Sequence, residues 1–380
     1  MRKPNRLNLL FVFGTRPEAI KLAPVIRYFR EHFAEETHLD VCVTAQHREM
    51  LDQVLTVFDI HPQFDLNVMQ PNQTLASVTG VMLPAIERVL QSSRPDLVFV
   101  QGDTTTTLCG ALASFYARIP VAHVEAGLRT GDLYQPFPEE LNRGIVSKLA
   151  TIHFAATEQA AANLDSEGIA KESVEVTGNT GIDALLHVKR RLENGELASA
   201  SPLVVPDGRR MILVTAHRRE NFGAGIHQIC TALCAIADSH DVQIVYPVHP
   251  NPSVSEPVRR LLSGHSRITL TDPLDYVSFI DLLRHAYLIL TDSGGIQEEA
   301  PTIGKPVLVL RDKTERPEAI QAGTAILVGT KVNDIVVNTG RLLTNEREYQ
   351  RRSQLKNPYG DGTASAKIVE YLFNREWRPF

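Results

Sequence analysis

Residues 290–300 read LTDSGGIQEEA: an apolar run ends in Ser293-Gly294-Gly295, and a helix then starts with Glu298 and Glu299 in its first turns. Glycine weakens both strands and helices, so two at this junction ask for a reason. Bare backbone lets a phosphate approach the unsatisfied first amides of a helix, where the dipole is positive. One of the two carboxylates can stabilise the helix start, and the other can accept hydrogen bonds from ribose hydroxyls. Both acids sit too early in the helix to be core. The plain alternative is a glycine turn followed by dipole-compatible acids. The pattern is neither the dinucleotide fingerprint GxGxxG nor a Walker loop.

Three further acids invite proton-transfer chemistry: Asp103 in VQGDTTTT, Glu125 in HVEAGLRT and Glu139 in PFPEELNR. Two of them close apolar runs, where a charge needs a partner or a task. For any one acid, a helix cap or ion pair explains it equally well. Three near one ligand edge carry more weight. His217, ending LVTAH, comes from the other half of the chain, and Arg218 and Arg219 follow it. In GTRPEAIK, Arg16 and Lys21 lie at the opening of a helix after the first apolar run; the plain alternative is a solvated helix that begins with an ordinary Glu18. Both cations can reach toward one anion. The phrase Arg-Pro-Glu-Ala-Ile recurs at Arg316, which suggests an equivalent place in the second half.

The elements that must position these groups alternate regularly. The first half carries LNLLFVF, DVCVTA, DLVFVQGD, IPVAHVEAG, TIHFAAT and VEVTGN. The second carries MILVTAH, QIVYPVH, RITLTD, LILTDS, PVLVL and AILVG. Most are continuous apolar runs, as in parallel strands buried on both faces. Helical stretches between them imply right-handed crossovers and doubly wound sheets. The reading is α/β: two Rossmann-like domains, 1–180 and 205–360, facing each other across a cleft. A polar linker over 181–204 joins them, and a C-terminal helix over 361–380 packs back on the first domain. Ligands of such sheets bind beyond the carboxyl ends of the strands. Those ends here are unusually rich in Asp, Glu, His, Arg and Gly.

The 380 residues suit two domains, with 43% hydrophobic and 22% charged residues typical of a globular protein. A net charge of −5 gives no electrostatic reason to expect nucleic acid or an anionic membrane as partner. No apolar run approaches the ~20 residues needed to span a bilayer. The start, MRKPNRLNLLFVFGTRPEA, reads as a first buried strand rather than a signal peptide. Cys42, Cys109, Cys230 and Cys234 read as buried thiols of a reducing compartment, with no metal site.

The segments FGTRPEAIKLAPVI, TAQHREMLDQVL, VQGDTTTTL, HVEAGLRTGD, PFPEELNR, VTAHRREN, LTDSGGIQEEAP and TERPEA together resemble the bacterial non-hydrolysing UDP-N-acetylglucosamine 2-epimerases. The likeness spans nearly the whole chain. It implies a GT-B-like pair of domains in a cytoplasmic homodimer without a cofactor. The implied reaction interconverts UDP-N-acetylglucosamine and UDP-N-acetylmannosamine, by elimination and re-addition of UDP through a glycal. By motif match, Asp103, Glu125 and Glu139 would supply the acid–base work. His217 would join them while helping Arg16, Ser293, Gly294 and Gly295 hold the diphosphate. Glu299 would take the ribose, Lys21 and Arg316 would support the leaving anion, and Phe279 falls among the UDP-binding residues. Gln46, His47, Arg218 and His249 match a second, activating UDP-sugar site. There, Glu49 and Asn72 depart from some relatives. The rival readings are a hydrolysing epimerase, a GT-B glycosyltransferase and a non-catalytic UDP-sugar sensor.

Overall fold

A computed structural model of the chain describes residues 6–44, 48–68, 73–200 and 208–374. The chain divides into two compact units, Met1–Ala184 with Tyr359–Phe380, and Leu185–Pro358. In the first unit the strands are β1 (Leu7–Phe13), β2 (Thr37–Val43), β3 (Phe64–Asp65), β4 (Leu97–Gln101), β5 (Val121–Ala126), β6 (Ile152–Ala155) and β7 (Val174–Val176). They form one parallel sheet in the order β3-β2-β1-β4-β5-β6-β7. The second unit has β8 (Arg210–Thr215), β9 (Val242–Pro247), β10 (Ile268–Thr271), β11 (Leu288–Thr291), β12 (Val307–Val309) and β13 (Ala325–Leu327). Its parallel order is β10-β9-β8-β11-β12-β13.

The continuous apolar runs explain these sheets. Leu9 to Phe13 are all buried along β1, and Leu97 to Val100 along β4. Phe11 stacks on Phe99 with ring centroids 4.6 Å apart, and Phe29 of the helix Arg16–His32 meets both edge-on. A side chain on either face of such a strand is covered by a helix, so alternation would leave polar groups dry. Both sheets reverse strand order beside their first strand, which places the loops after β1, β4, β8 and β11 at the switch points.

Residues 181–193, where the sequence suggests the start of a polar linker, belong to the helix Thr180–Glu193. Its buried Ile182, Leu185 and Val188 supply the apolar face that the polar composition obscures. The helix Ala364–Asn374 packs on the first unit: Phe373 stacks on Phe33 at 4.3 Å, and Tyr371 bonds the Glu172 carbonyl at 2.9 Å. Asp183 accepts from the amides of Ala364 and Ser365 and so holds its first turn.

Gly14 closes β1 at a point of tight approach. A Cβ there would lie 2.0 Å from Thr44 Oγ1 and 2.6 Å from Thr106 Oγ1. Those hydroxyls are buried and bonded to each other at 2.8 Å. Gly14→Ala is therefore expected to cost roughly 1–3 kcal/mol through overpacking and a displaced hydrogen bond. Gly80, inside the helix Leu75–Ser93, has nothing within 4 Å of its Cβ position, and Gly80→Ala is expected to be neutral or mildly stabilising. Urea denaturation of both variants checks this, and equal midpoints would contradict the close-approach argument.

Candidate functional site

In the first unit the site grows from the ends of β1, β4 and β5. Thr15 caps the helix Arg16–His32, with Glu18 completing a capping box. Glu18 is not the solvated acid that its position suggests. It is 1% exposed, and it also accepts from the hydroxyls of Thr104 at 2.7 Å and Thr107 at 3.1 Å. Burial pushes its carboxyl up, against the hydrogen bonds from Thr15, Thr104 and Gly14. Glu18 thereby ties the loop after β1 to the loop after β4, and this is a structural use for two of the four threonines. Arg16 opens the same helix, half-buried.

Lys21, one turn further on, forms an ion pair with Glu125. Gln101 at the end of β4 donates to the same carboxylate oxygen at 2.5 Å. Glu125 has a φ of +64°, and the register of β5 against β6 shifts between Val124 and Ala126. A non-glycine residue in the left-handed region costs ~1 kcal/mol or more and persists only where its surroundings enforce it. Here the bulge turns one strand residue toward Lys21 and Gln101, as bulges beside active sites do. His123, two residues earlier, is fully buried and pushed down to about 3, by burial first. It stays neutral and donates from Nε2 to the Gly102 carbonyl at 2.7 Å.

Asp103 follows β4, and its Oδ2 lies 2.8 Å from Arg143 Nη2. Burial raises its carboxyl, Arg143 opposes this, Glu125 adds to it, Lys21 opposes it and Glu139 adds to it. The charges of Lys21, Glu125, Glu139 and Arg143 thus all act on one carboxylate. Glu139 is the first residue of the helix Glu139–Leu149 and is half-buried. The structure therefore brings Lys21, Asp103, Glu125 and Glu139 together. It adds Gln101 and Arg143, which the sequence alone does not single out.

The second unit builds a different group after β8 and β11. Asp292 is 0% exposed; its Oδ2 accepts from the amides of His217 and Arg218 at 2.8 Å and from Asn221 Nδ2 at 3.0 Å. Its Oδ1 lies 3.7 Å from His217 Nδ1. Burial holds His217 below the usual imidazole range; Asp292 opposes this, while His249 and Arg218 reinforce it. His217 stacks on exposed His249 at 5.3 Å. In the sequence, Asp292 before Ser-Gly-Gly is indistinguishable from a turn residue.

Ser293 precedes the short helix Gly294–Glu299, and its amide donates to Thr291 Oγ1 at 2.9 Å. A Cβ on Gly294 would lie 3.5 Å from Arg316 Nη2 and 3.8 Å from Arg218 Nη2. Two guanidiniums thus flank bare backbone. Glu298 is buried, contrary to its expected surface place, and forms an ion pair with Arg316. Glu299 is half-buried, its Oε1 3.9 Å from the Cβ position of Gly295. Phe279 is half-buried on the helix Tyr276–His285; among the described residues no hydrogen bond or ring contact joins it to Ser293 or Gly294. Arg316 does not sit where Arg16 does. Arg16 follows β1, whose counterpart in the second sheet is β8, whereas Arg316 follows β12, the counterpart of β5. Gln46, His47 and Asn72, and the side chain of Glu49, lie outside the described residues.

Two Rossmann-like parallel sheets, one ending in paired acids and the other in glycine backbone flanked by arginines, define an α/β enzyme of the GT-B-like class. The chain matches the UDP-N-acetylglucosamine 2-epimerase family over residues 31–373, and it belongs to that family. It is 55% identical over 375 residues to the Escherichia coli (strain K12) UDP-N-acetylglucosamine 2-epimerase, covering 97% of this chain and 99% of that relative. The Neisseria meningitidis UDP-GlcNAc 2-epimerase, solved bound to UDP-GlcNAc, is 47% identical with a TM-score of 0.89; the match covers 97% of this chain and 100% of that one. The glycosyltransferase SnogD from Streptomyces nogalater is 16% identical with a TM-score of 0.59, covering 96% and 99%, and shows the shared fold alone. The protein is thus an isomerase, and the comparisons support UDP-N-acetylglucosamine 2-epimerase activity. Among the described residues no helix is long and apolar enough to cross a membrane.

Proposed function

We propose that the protein interconverts UDP-N-acetylglucosamine and UDP-N-acetylmannosamine without hydrolysis, by elimination and re-addition of UDP. The C2 hydrogen of the sugar is not beside a carbonyl, so direct removal at neutral pH is unfavourable. As the C1–O bond to UDP breaks, positive character at C1 acidifies C2–H. A carboxylate takes the proton, and the C–H electrons become the C1=C2 bond of a glycal. An acid then returns a proton to the opposite face of C2, and the UDP oxygen re-forms the bond to C1. The sugar changes configuration, UDP is conserved and no oxidant is needed.

The observation that carries this reading is the first-unit cluster. Glu125 stands in a left-handed conformation against Lys21 and Gln101, and both it and Glu139 act on the Asp103 carboxylate. Proton transfer to and from opposite faces of one carbon needs more than one acid. Asp103, Glu125 and Glu139 do this work. The leaving diphosphate needs fixed positive charge and amides. Ser293, Gly294 and Gly295 supply amides and Arg16 supplies charge, His217 adds a hydrogen-bonding ring, and Lys21 and Arg316 support the departing anion. Glu299 takes the ribose hydroxyls, and Phe279 lines the nucleotide. Gln46, His47, Arg218 and His249 belong to a second, activating UDP-sugar site. The enzyme works as a cytoplasmic homodimer and supplies N-acetylmannosamine units for cell-surface polysaccharide.

Incubation with UDP-N-acetylglucosamine, followed by phosphorus and proton NMR, tests this against its nearest rival. UDP-N-acetylmannosamine is expected, with no free UDP beyond a trace. Stoichiometric UDP with free N-acetylmannosamine would mean that water traps the intermediate and would overturn the reading.

A further inference from the structure

The helix Glu139–Leu149 reaches Asp103 twice. Asn142 Nδ2 donates to the Asp103 main-chain carbonyl at 2.9 Å, and Arg143 Nη2 lies 2.8 Å from its Oδ2. The Arg143 side chain is only 10% exposed. Its other terminal nitrogen, Nη1, lies 3.5 Å from Glu140 Oε2. Glu140, 4% exposed, in turn accepts from the amides of Thr130 and Gly131 at 2.9 and 3.0 Å. One buried guanidinium therefore ties the acid after β4 to the helix that begins with Glu139, and that helix to the loop after β5.

Four charged groups act on Asp103: Arg143 and Glu139 from this helix, Glu125 from β5 and Lys21 from the helix Arg16–His32. Lys21 is already the ion-pair partner of Glu125. The two acids nearby and the surrounding burial all favour a neutral Asp103. Arg143 is the strongest opposing charge. We propose that Arg143 is a positioning residue: it holds the Asp103 carboxylate in place and charged, and fixes it relative to Glu139. As a role in the reaction, this rests on reading Asp103 as an acid–base group. Without the guanidinium, Asp103 holds its proton to higher pH, and the form able to accept a proton appears later in a titration.

The test compares wild type, Arg143→Gln and Arg143→Lys in the full chain. Asp carboxyl carbons are labelled and titrated by NMR, with Asp103→Asn assigning the resonance. Arg143→Gln is expected to move the Asp103 midpoint upward by about one pH unit or more, as for an acid losing an adjacent arginine. The acid limb of the C2 hydrogen-exchange rate should move by the same interval, with UDP affinity unchanged. Arg143→Lys keeps a point charge but loses the fork, so a smaller upward move is expected. An Asp103 midpoint equal to wild type in the variants overturns the inference, and if Arg143→Gln does not fold, Arg143→Lys decides. A midpoint that moves under an unmoved rate profile leaves Arg143 a structural role only and equally overturns it. Absence of C2 exchange in wild type would sink the epimerase reading instead; the titration would still decide whether Arg143 holds Asp103 charged.

Discussion

Replacing Asp103, Glu125 or Glu139 one at a time by its amide is expected to lower turnover by at least about 100-fold, the effect typical of losing a general acid or base. The amide keeps the volume and removes the charge, so packing is the lesser change. UDP affinity should stay close to wild type, because these three lie in the first unit, whereas most residues proposed to hold the diphosphate and ribose (Ser293, Gly294, Gly295 and Glu299 among them) lie in the second. The variants should also differ in kind. Asp103→Asn takes from Arg143 the nearer of its two carboxylates, leaving Glu140, and Glu125→Gln removes the carboxylate that pairs with Lys21. Loss of one carboxylate beside a largely buried cation destabilises the fold, so thermal midpoints must be read beside the rates. Near-normal C2 exchange in all three variants would remove the acid–base assignment.

Glu299→Ala is expected to weaken binding of free UDP by roughly 1.5–3 kcal/mol, the range for losing hydrogen bonds to a charged group. That is about a 10- to 100-fold rise in Kd. The family motif assigns the ribose to Glu299 rather than to its neighbour, and the two carboxylates sit differently. Glu298 is buried and engaged by Arg316, whereas Glu299 lies over bare Gly295 backbone and keeps access to solvent. Calorimetry showing unchanged UDP affinity would take Glu299 out of the nucleotide site.

Much of the fold was legible because burial on both faces leaves a plain mark. All twelve apolar runs quoted from the sequence are strands, from LNLLFVF at β1 to AILVG at β13. The strand that escaped, β3, has two residues, Phe64 and Asp65, on the sheet edge. It is too short to show a run, and its pairing to β2 exists only in three dimensions. The helix Thr180–Glu193 was hidden by the basic, polar stretch that follows its apolar face.

The acids of the candidate site stood out for a related reason. Asp103 follows one apolar strand and Glu125 lies near the end of another, and charges there stand out. Their partners were not legible. Glu18 looks like a surface acid until Thr104 and Thr107, far along the chain, fold onto it. Arg143 and Gln101 are ordinary residues on a helix and a strand until tertiary contact gives them Asp103 and Glu125. Asp292 earns no notice beside Ser-Gly-Gly, yet it organises the backbone of His217 and Arg218. The repeated Arg-Pro-Glu-Ala-Ile misled, because a shared helix-start phrase follows non-equivalent strands.

The central claim is that the C2–H bond breaks and re-forms with solvent while UDP leaves and returns. The most direct measurement runs the reaction on UDP-N-acetylglucosamine in deuterated water and locates deuterium in the sugar nucleotides by NMR and mass spectrometry. The account predicts one deuterium, at C2 only, in UDP-N-acetylmannosamine and, as equilibrium is approached, in the recovered UDP-N-acetylglucosamine. UDP-N-acetylmannosamine that keeps its original hydrogen at C2 would contradict it.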